Sequence, residues 1–464
     1  MPKTYTDAIL VARNLRIQYL WIDSFCIVQD DRDDWEAESQ KMGYIYENAY
    51  INIAAAGALD GSIGFLGSRK QDPVYVRVPA EGQEGDHFYF TDQPNSDFDA
   101  YVSHAELNTR GWVLQERLLS RRTIHFAADM WYWECGHHVV SEDGWQHDTR
   151  SASSVYRTPL RETLKGSVME VGKVFRHDDV KEEKQQPQTG SGSTVITTTQ
   201  TEVLWAQILR AYSKCDLTFP SDKLPALQGL VNRFKTVAQS PYVFGHWLQP
   251  RESLPLSLMW FAATDGGLAF PTELNNLAVP SWSCLKGNGP VEFHDTRDAT
   301  PCTMIDAVGG GGGGGPGTGG AGAGALLPST ILLRGRIRKA NPTHPNGETP
   351  PSKPTFYALS FKSETPYGTF TRTLGPARFD DAAEVPEEVT LLLAWQAVTS
   401  GSKNMNAQMD QLALVLREVD GTGPEDGDGV EDGGGVARYK RIGIANVNNH
   451  SFYDGVPFSS LVIV

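Results

Sequence analysis

Long hydrophobic runs are missing from this chain. No stretch of about 18 apolar residues occurs, so no transmembrane helix is expected. Positive charge is scarce as well: 41 Lys and Arg face 56 Asp and Glu, a formal net charge of -15. A general nucleic-acid or anionic-membrane binder carries a basic surface, so both classes are disfavoured. Cysteine is sparse and odd in number. Cys26, Cys135, Cys215, Cys284 and Cys302 include no C-x-x-C pair, which argues against a disulfide scaffold or zinc ribbon and for a reducing, cytoplasmic setting. The opening Met-Pro-Lys-Thr-Tyr-Thr-Asp has no basic region followed by an apolar run, so no signal peptide is read.

What is present suffices for real cores: 40% of the 464 residues are hydrophobic and 21% charged, a composition of folded proteins. At roughly 150 residues per domain the length suggests about three domains or one elaborated one. Composition divides the chain. Residues 182–202 are polar and read as a linker or mobile insertion. Residues 309–325 are nearly pure Gly with Ala, lack side chains to bury, and are expected to be disordered. Residues 421–435, GTGPEDGDGVEDGGG, form an acidic Gly-rich loop that is expected to be disordered; it departs from a calcium loop at Val430 and has no closing Glu.

The first segment predicts helix–strand–helix–strand. Thr4 and Asp7 give a capping-box-like start, and Ala8, Ile9, Ala12 and Leu15 recur at helical spacing. Tyr19 to Asp23 is a short aromatic and β-branched run suited to a buried strand, with Asp23 at its C-terminal end. Asp33 and Asp34 open a second helix with Trp35, Met42, Ile45, Tyr46 and Ala49 inward, and Tyr50 to Ala56 follows as a strand. The alternation predicts an α/β domain with an open parallel sheet. Residues 203–235 look helical. Beyond 326 the apolar runs 331–333, 390–395, 412–416 and 441–444 predict a β-rich C-terminal region.

Three blocks together resemble the fungal heterokaryon-incompatibility (HET) domain: residues 2–35, with Tyr-Leu-Trp-Ile-Asp-Ser; residues 41–56, KMGYIYENAYINIAAA; and residues 109–126, TRGWVLQERLLSRRTIHF, followed by Trp133-Glu134-Cys135. Residues 205–230 and 279–284 resemble, more loosely, the region that follows this domain in long members. The resemblance implies a HET domain over 1–150, a helical or mixed associated region over 203–308 and the β-rich part over 326–464. Family members open with an aromatic-x-Ala-Leu-Ser-Tyr-x-Trp-Gly block ahead of the Pro-Lys-Thr, whereas here Pro2 follows Met1; this departure bears on activity more than on fold. The implied role is that of an effector in non-self recognition and programmed cell death, working through protein partners or self-assembly.

HET blocks in turn resemble, remotely, those of Toll/interleukin-receptor (TIR) domains, some of which cleave NAD with a glutamate placed four residues after a tryptophan. Trp112 and Glu116 have that spacing and share one helical face. A carboxylate beside a sugar can steady the oxocarbenium-like centre as nicotinamide leaves. The resemblance therefore offers Glu116 as a catalytic residue, Asp23, Ser24, Arg110 and Trp112 as ligand contacts, and NAD as substrate, with no resident cofactor. Two alternatives remain: Glu116 as an ion-pair partner of Arg110, Arg117, Arg121 or Arg122, and an inactive paralogue. Asp23 at a strand's C-terminal end sits where open α/β sheets contact ligands, or it caps a loop. Cys135, His137, His138 and His147 match no zinc spacing, and no metal site is expected.

Overall fold

In the computed structural model the described residues are 1–67, 75–79, 87–91, 98–128, 130–144, 146–148, 161–171, 198–238, 240–248, 256–264, 267–271, 279–294, 299–308, 330–343, 357–365, 368–381, 385–398, 409–419, 436–448 and 452–464. The two Gly-rich segments, 309–325 and 421–435, lie outside them, as does 182–197 of the expected linker. Its last five residues, 198–202, instead begin a helix, Thr198–Tyr212. Thr201 is buried there, and Leu204 and Trp205 follow into the core, so packing carries the helix into polar sequence. The chain forms two units: Met1–Ile196 with Cys215–Val237, and Thr197–Lys214 with Ala238–Val464.

The first unit opens with helix α1, Lys3–Asn14, which buries Ala8, Val11 and Ala12. The expected capping box does not form. The helix begins after Pro2 with no side-chain cap, and Asp7, itself buried, pairs with Lys3 and accepts the backbone N–H groups of Phe65 and Leu66. Arg16 adopts a left-handed φ of 57° and turns the chain. Residues 17–22 then belong to no strand, and Asp23 begins a one-turn helix, α2, Asp23–Cys26. This corrects the strand expected over Tyr19 to Asp23. The run has strand composition, but among the described residues no strand pairs with it, and strand geometry persists only in a ladder.

Helix α3, Arg32–Asn48, is capped by the Asp31 carboxylate, which accepts the N–H groups of Asp33 and Asp34. Strand β1, Asn52–Ala54, follows. A hairpin of β2, Tyr75–Pro79, and β3, His87–Thr91, stands apart as a two-stranded sheet. Helix α4, Gly111–Leu119, leads into strands β4, Arg122–Phe126, β5, Trp131–Cys135, β6, His138–Ser141, and β7, Gln146–Asp148. The sheet order is β1-β4-β5-β6-β7. Only β1 and β4 run parallel; the other neighbours are antiparallel. The open parallel sheet is thus corrected to a mixed one. Connections as short as the one from Phe126 to Trp131 leave room for a hairpin but not for the crossover that a parallel pair needs. Helix α5, Arg161–Val171, and the helix Gln228–Ala238 complete the unit.

In the second unit the expected β-rich region is a nine-stranded sheet. Six strands close into a ring: Ile331–Thr343 pairs with Tyr357–Thr365 and with Val389–Val398, and the circuit runs on through Gly368–Phe379, Arg438–Val447 and Met409–Glu418. One apolar cluster draws Ala340, Leu359, Leu374, Leu391, Val415 and Ala445 from all six strands and fills the interior. Alternate residues, including Leu392, Leu414 and Ile444, join a second cluster with Trp282 and Met259. This period-two division between faces is the strand rule at work.

Candidate functional site

Helix α4 is fixed at its start by backbone pairing: Gly111 N–H donates to the Asp216 carbonyl at 2.8 Å, and Asp216 N–H to that of Thr109 at 2.6 Å. Trp112 is held by its indole N–H, which donates to an Asp222 carboxylate oxygen at 2.9 Å, and by an edge-to-face contact with Trp35. One turn later Glu116 meets Tyr46 of α3, whose hydroxyl hydrogen-bonds its carboxyl. These residues, with Asp23 and Arg110, line one open cavity of about 1360 Å³. The sequence-predicted Glu116, Asp23, Arg110 and Trp112 therefore stand around a common space. Ser24 does not: it is exposed, outside the cavity wall, and donates its hydroxyl to Tyr5 at 2.9 Å.

The electrostatics of Glu116 are those of a half-buried acid at a cavity wall. Burial pushes its carboxyl up to about 7, and the nearby Asp23 charge adds to the rise, while the Tyr46 hydrogen bond and the Arg110 charge oppose it. Burial, with the Glu116 charge next, also drives the Tyr46 phenol well above its ordinary value, so Tyr46 remains a donor at neutral pH. Of the four arginines offered as partners of Glu116, Arg110 acts on it through its charge, and the other three are engaged elsewhere or exposed. Arg117 turns away to Glu134, Arg121 is exposed, and Arg122 lies over the Tyr50 ring. Among the described residues no guanidinium is in ion-pair contact with Glu116.

A second group borders the same cavity. Glu134, fully buried on β5, accepts from Arg117 at 2.9 Å, from His125 Nε2 at 2.9 Å and from Lys165 Nζ at 3.4 Å, and Lys165 also donates to Thr123 at 2.9 Å. Burial works to raise the Glu134 carboxyl, but the Arg117 and Lys165 charges hold it well below the usual range. Burial depresses His125 to about 4, so the ring is neutral; with Nε2–H facing Glu134, its Nδ1 lone pair has no partner. Arg117, Thr123 and His125 all line the cavity.

Tyr46 is the site residue that the sequence reading missed. Its place on the inward stripe of α3 was visible, but helical spacing gives the same signal for a core side chain and for one that faces a cavity. Elsewhere, Cys135 ends β5 and His138 begins β6, and among the described residues no three His, Cys, Asp or Glu side chains gather to hold a metal.

The family model described as Heterokaryon incompatibility protein (HET) matches residues 1–116. The chain thus carries a heterokaryon incompatibility domain over that stretch, a quarter of its length. Asp23, Tyr46, Arg110, Trp112 and Glu116 all fall within it. Neither the curated proteins nor the solved structures contain a match.

Proposed function

We propose that the chain is an effector of fungal non-self recognition that triggers cell death, and that its HET domain acts by cleaving the nicotinamide–ribose bond of NAD. The observation that carries this reading is the Glu116 carboxyl, half-buried at a cavity wall with Tyr46, Trp112, Arg110 and Asp23 around it and poised at about 7. A perturbed acid in a cleft is a functional-site candidate. In the proposed step the C1′–N bond breaks and its electron pair leaves with nicotinamide. Ionised Glu116 steadies the cationic ribose carbon, and water adds there with loss of a proton to give ADP-ribose. Trp112 offers an aromatic surface for a planar ring, and Arg110 a cation for a phosphate. The proposal places the protein in the cytoplasm. Among the described residues no helix is long and apolar enough to cross a membrane.

The test is Glu116→Gln in the full chain. The exchange keeps size and hydrogen-bonding reach but removes the charge. NAD loss and toxicity on overexpression are expected to fall together by two orders of magnitude or more, with the protein still folded. Toxicity that persists in Glu116→Gln, without NAD consumption in either protein, would replace this reading with one of assembly or partner binding.

A further inference from the structure

His125 carries a polar atom that the fold leaves unused. On β4 it shares one face of the sheet with Thr123, because strand residues two apart point the same way. In register with them on β1 stand Asn52, beside Thr123, and Ala54, beside His125. All four line the cavity that Glu116 borders. The His125 side chain is only 1% exposed. Its Nε2 lies 2.9 Å from Glu134, which Arg117 and Lys165 keep ionised, so that nitrogen carries the proton. Nδ1 keeps its lone pair and, among the described residues, has no partner. A buried acceptor left unpaired is costly, and such orphans are uncommon in native structures.

Thr123 supplies the complement. Lys165 donates to its hydroxyl oxygen at 2.9 Å, so its own O–H is left to donate, and no described residue accepts it. One strand face thus sets a spare donor and a spare acceptor two residues apart. A carboxamide answers both, since its oxygen accepts and its nitrogen donates. Charge narrows the choice. Arg117 and Lys165 oppose a cationic donor such as an ammonium. A carboxylate would set its lone pairs against that of Nδ1, and burial, which depresses the ring to about 4, resists the proton uptake that would relieve this. The same depression makes His125 a weak base near neutral pH and leaves it the role of acceptor. Ala54 offers only a methyl beside the ring, so β1 leaves this part of the floor open to a planar group.

We infer that Thr123 and His125, with Asn52 beside them, form an amide subsite: His125 Nδ1 accepts an N–H of an uncharged carboxamide, and the Thr123 hydroxyl donates to its oxygen. Glu134 is a positioning residue, since its bond to Nε2–H fixes the tautomer that leaves Nδ1 free to accept. The subsite is argued from these side chains; assigning the carboxamide to the nicotinamide end of NAD rests on the reading proposed above. On that reading the subsite holds the leaving group by its carboxamide while Glu116 steadies the ribose carbon.

The experiment is titration calorimetry on the full chain carrying Glu116→Gln, so that binding is read apart from turnover. NAD is compared with acetylpyridine adenine dinucleotide, in which a methyl replaces the amide nitrogen, with the nicotinic acid analogue, and with the hypoxanthine analogue, which differs only at the adenine end. Free nicotinamide and free acetylpyridine repeat the first comparison. The acetylpyridine and nicotinic acid compounds are expected to bind at least tenfold more weakly than their amide counterparts, and the hypoxanthine analogue as NAD does. His125→Gln keeps an N–H for Glu134 but puts no acceptor at the Nδ1 position. It should weaken NAD at least tenfold and bring the acetylpyridine analogue level with it. Equal affinity of the amide and acetyl ligands would overturn the inference, as would a penalty confined to the hypoxanthine analogue, a preference that survives His125→Gln, or no binding of nicotinamide and NAD at all. The ligand series needs no change at His125, so a misfolded His125→Gln does not shelter the inference. Glu116-dependent NAD cleavage without an amide preference fells this inference alone; an amide preference in a chain that consumes no NAD fells the cleavage reading alone.

Discussion

Glu116 is costly where it stands. A carboxyl that titrates near 7 in the fold and near its ordinary 4.5 in the unfolded chain binds its proton more tightly when folded. Its contribution is therefore harmless below pH 4.5 and becomes a penalty as the pH rises to 7, on the order of 3 kcal/mol once the carboxyl is ionised. Glu116→Gln should raise unfolding stability by that amount at pH 8 and by little at pH 5. Urea denaturation at the two pH values measures it, and equal midpoint shifts at both would show that the carboxyl is not buried as described. In the proposed reaction the same residues would set its working range. Asp23→Asn removes a repelling charge and should move the pH midpoint of NAD cleavage below that of the parent, while Tyr46→Phe removes a stabilising donor and should move it above. Rate profiles across pH 5–9 decide both directions, and an unmoved midpoint in either variant would deny that group its place beside Glu116.

Helix α3 and the helix Gln228–Ala238 cross where Gly43 and Gly229 meet, and at the element scale this crossing holds the first unit together. A Cβ on Gly43 would stand 2.5 Å from the Gly229 Cα, so no side chain fits unless the helices part. The Gln115 side-chain oxygen accepts the Gly229 N–H at 3.1 Å at the same crossing, which brings α4 into the junction. Gly43→Ala gains helix propensity, roughly 1 kcal/mol, yet should destabilise by about 1–3 kcal/mol because overpacking against backbone outweighs it. Thermal unfolding checks the sign; a stabilised variant would mean the crossing is looser than drawn. The Glu134 cluster serves α4 in another way. By taking Arg117 it commits that guanidinium to Glu134, and Arg110 is the arginine whose charge acts on Glu116.

Taken as a whole molecule, the chain pairs a mixed-sheet unit with a second unit built on a ring of six strands. The ring core depends on residues such as Leu391, fully buried among interior side chains drawn from every strand. Leu391→Ala should cost about 2–5 kcal/mol, since a closed ring relaxes little around a cavity. Chemical denaturation reads this directly, and a loss below 1 kcal/mol would contradict a filled interior.

The sequence by itself determined the periodicities and the motifs. Helices over 3–14, 32–48 and 203–212 and the β-rich C-terminal region were legible because side-chain patterns repeat at 3.6 or 2 residues whatever the partners, and the HET blocks were legible as a motif resemblance. Trp112 and Glu116 were legible as a pair because four residues make one helical turn. Tertiary structure alone decided the rest. Residues 19–22 have strand composition, but among the described residues no neighbouring strand completes them, because pairing is a property of two segments and not of one. The sheet is mixed because each strand's direction depends on its connections. Tyr46 joins the site, and Ser24 leaves it, because the crossing of α3 and α4 over the cavity sets distances that no spacing along the chain encodes. The proton affinity of Glu116 follows from its burial at the cavity wall, which exists only once Asp23, Tyr46 and Arg110, far apart in sequence, come together there.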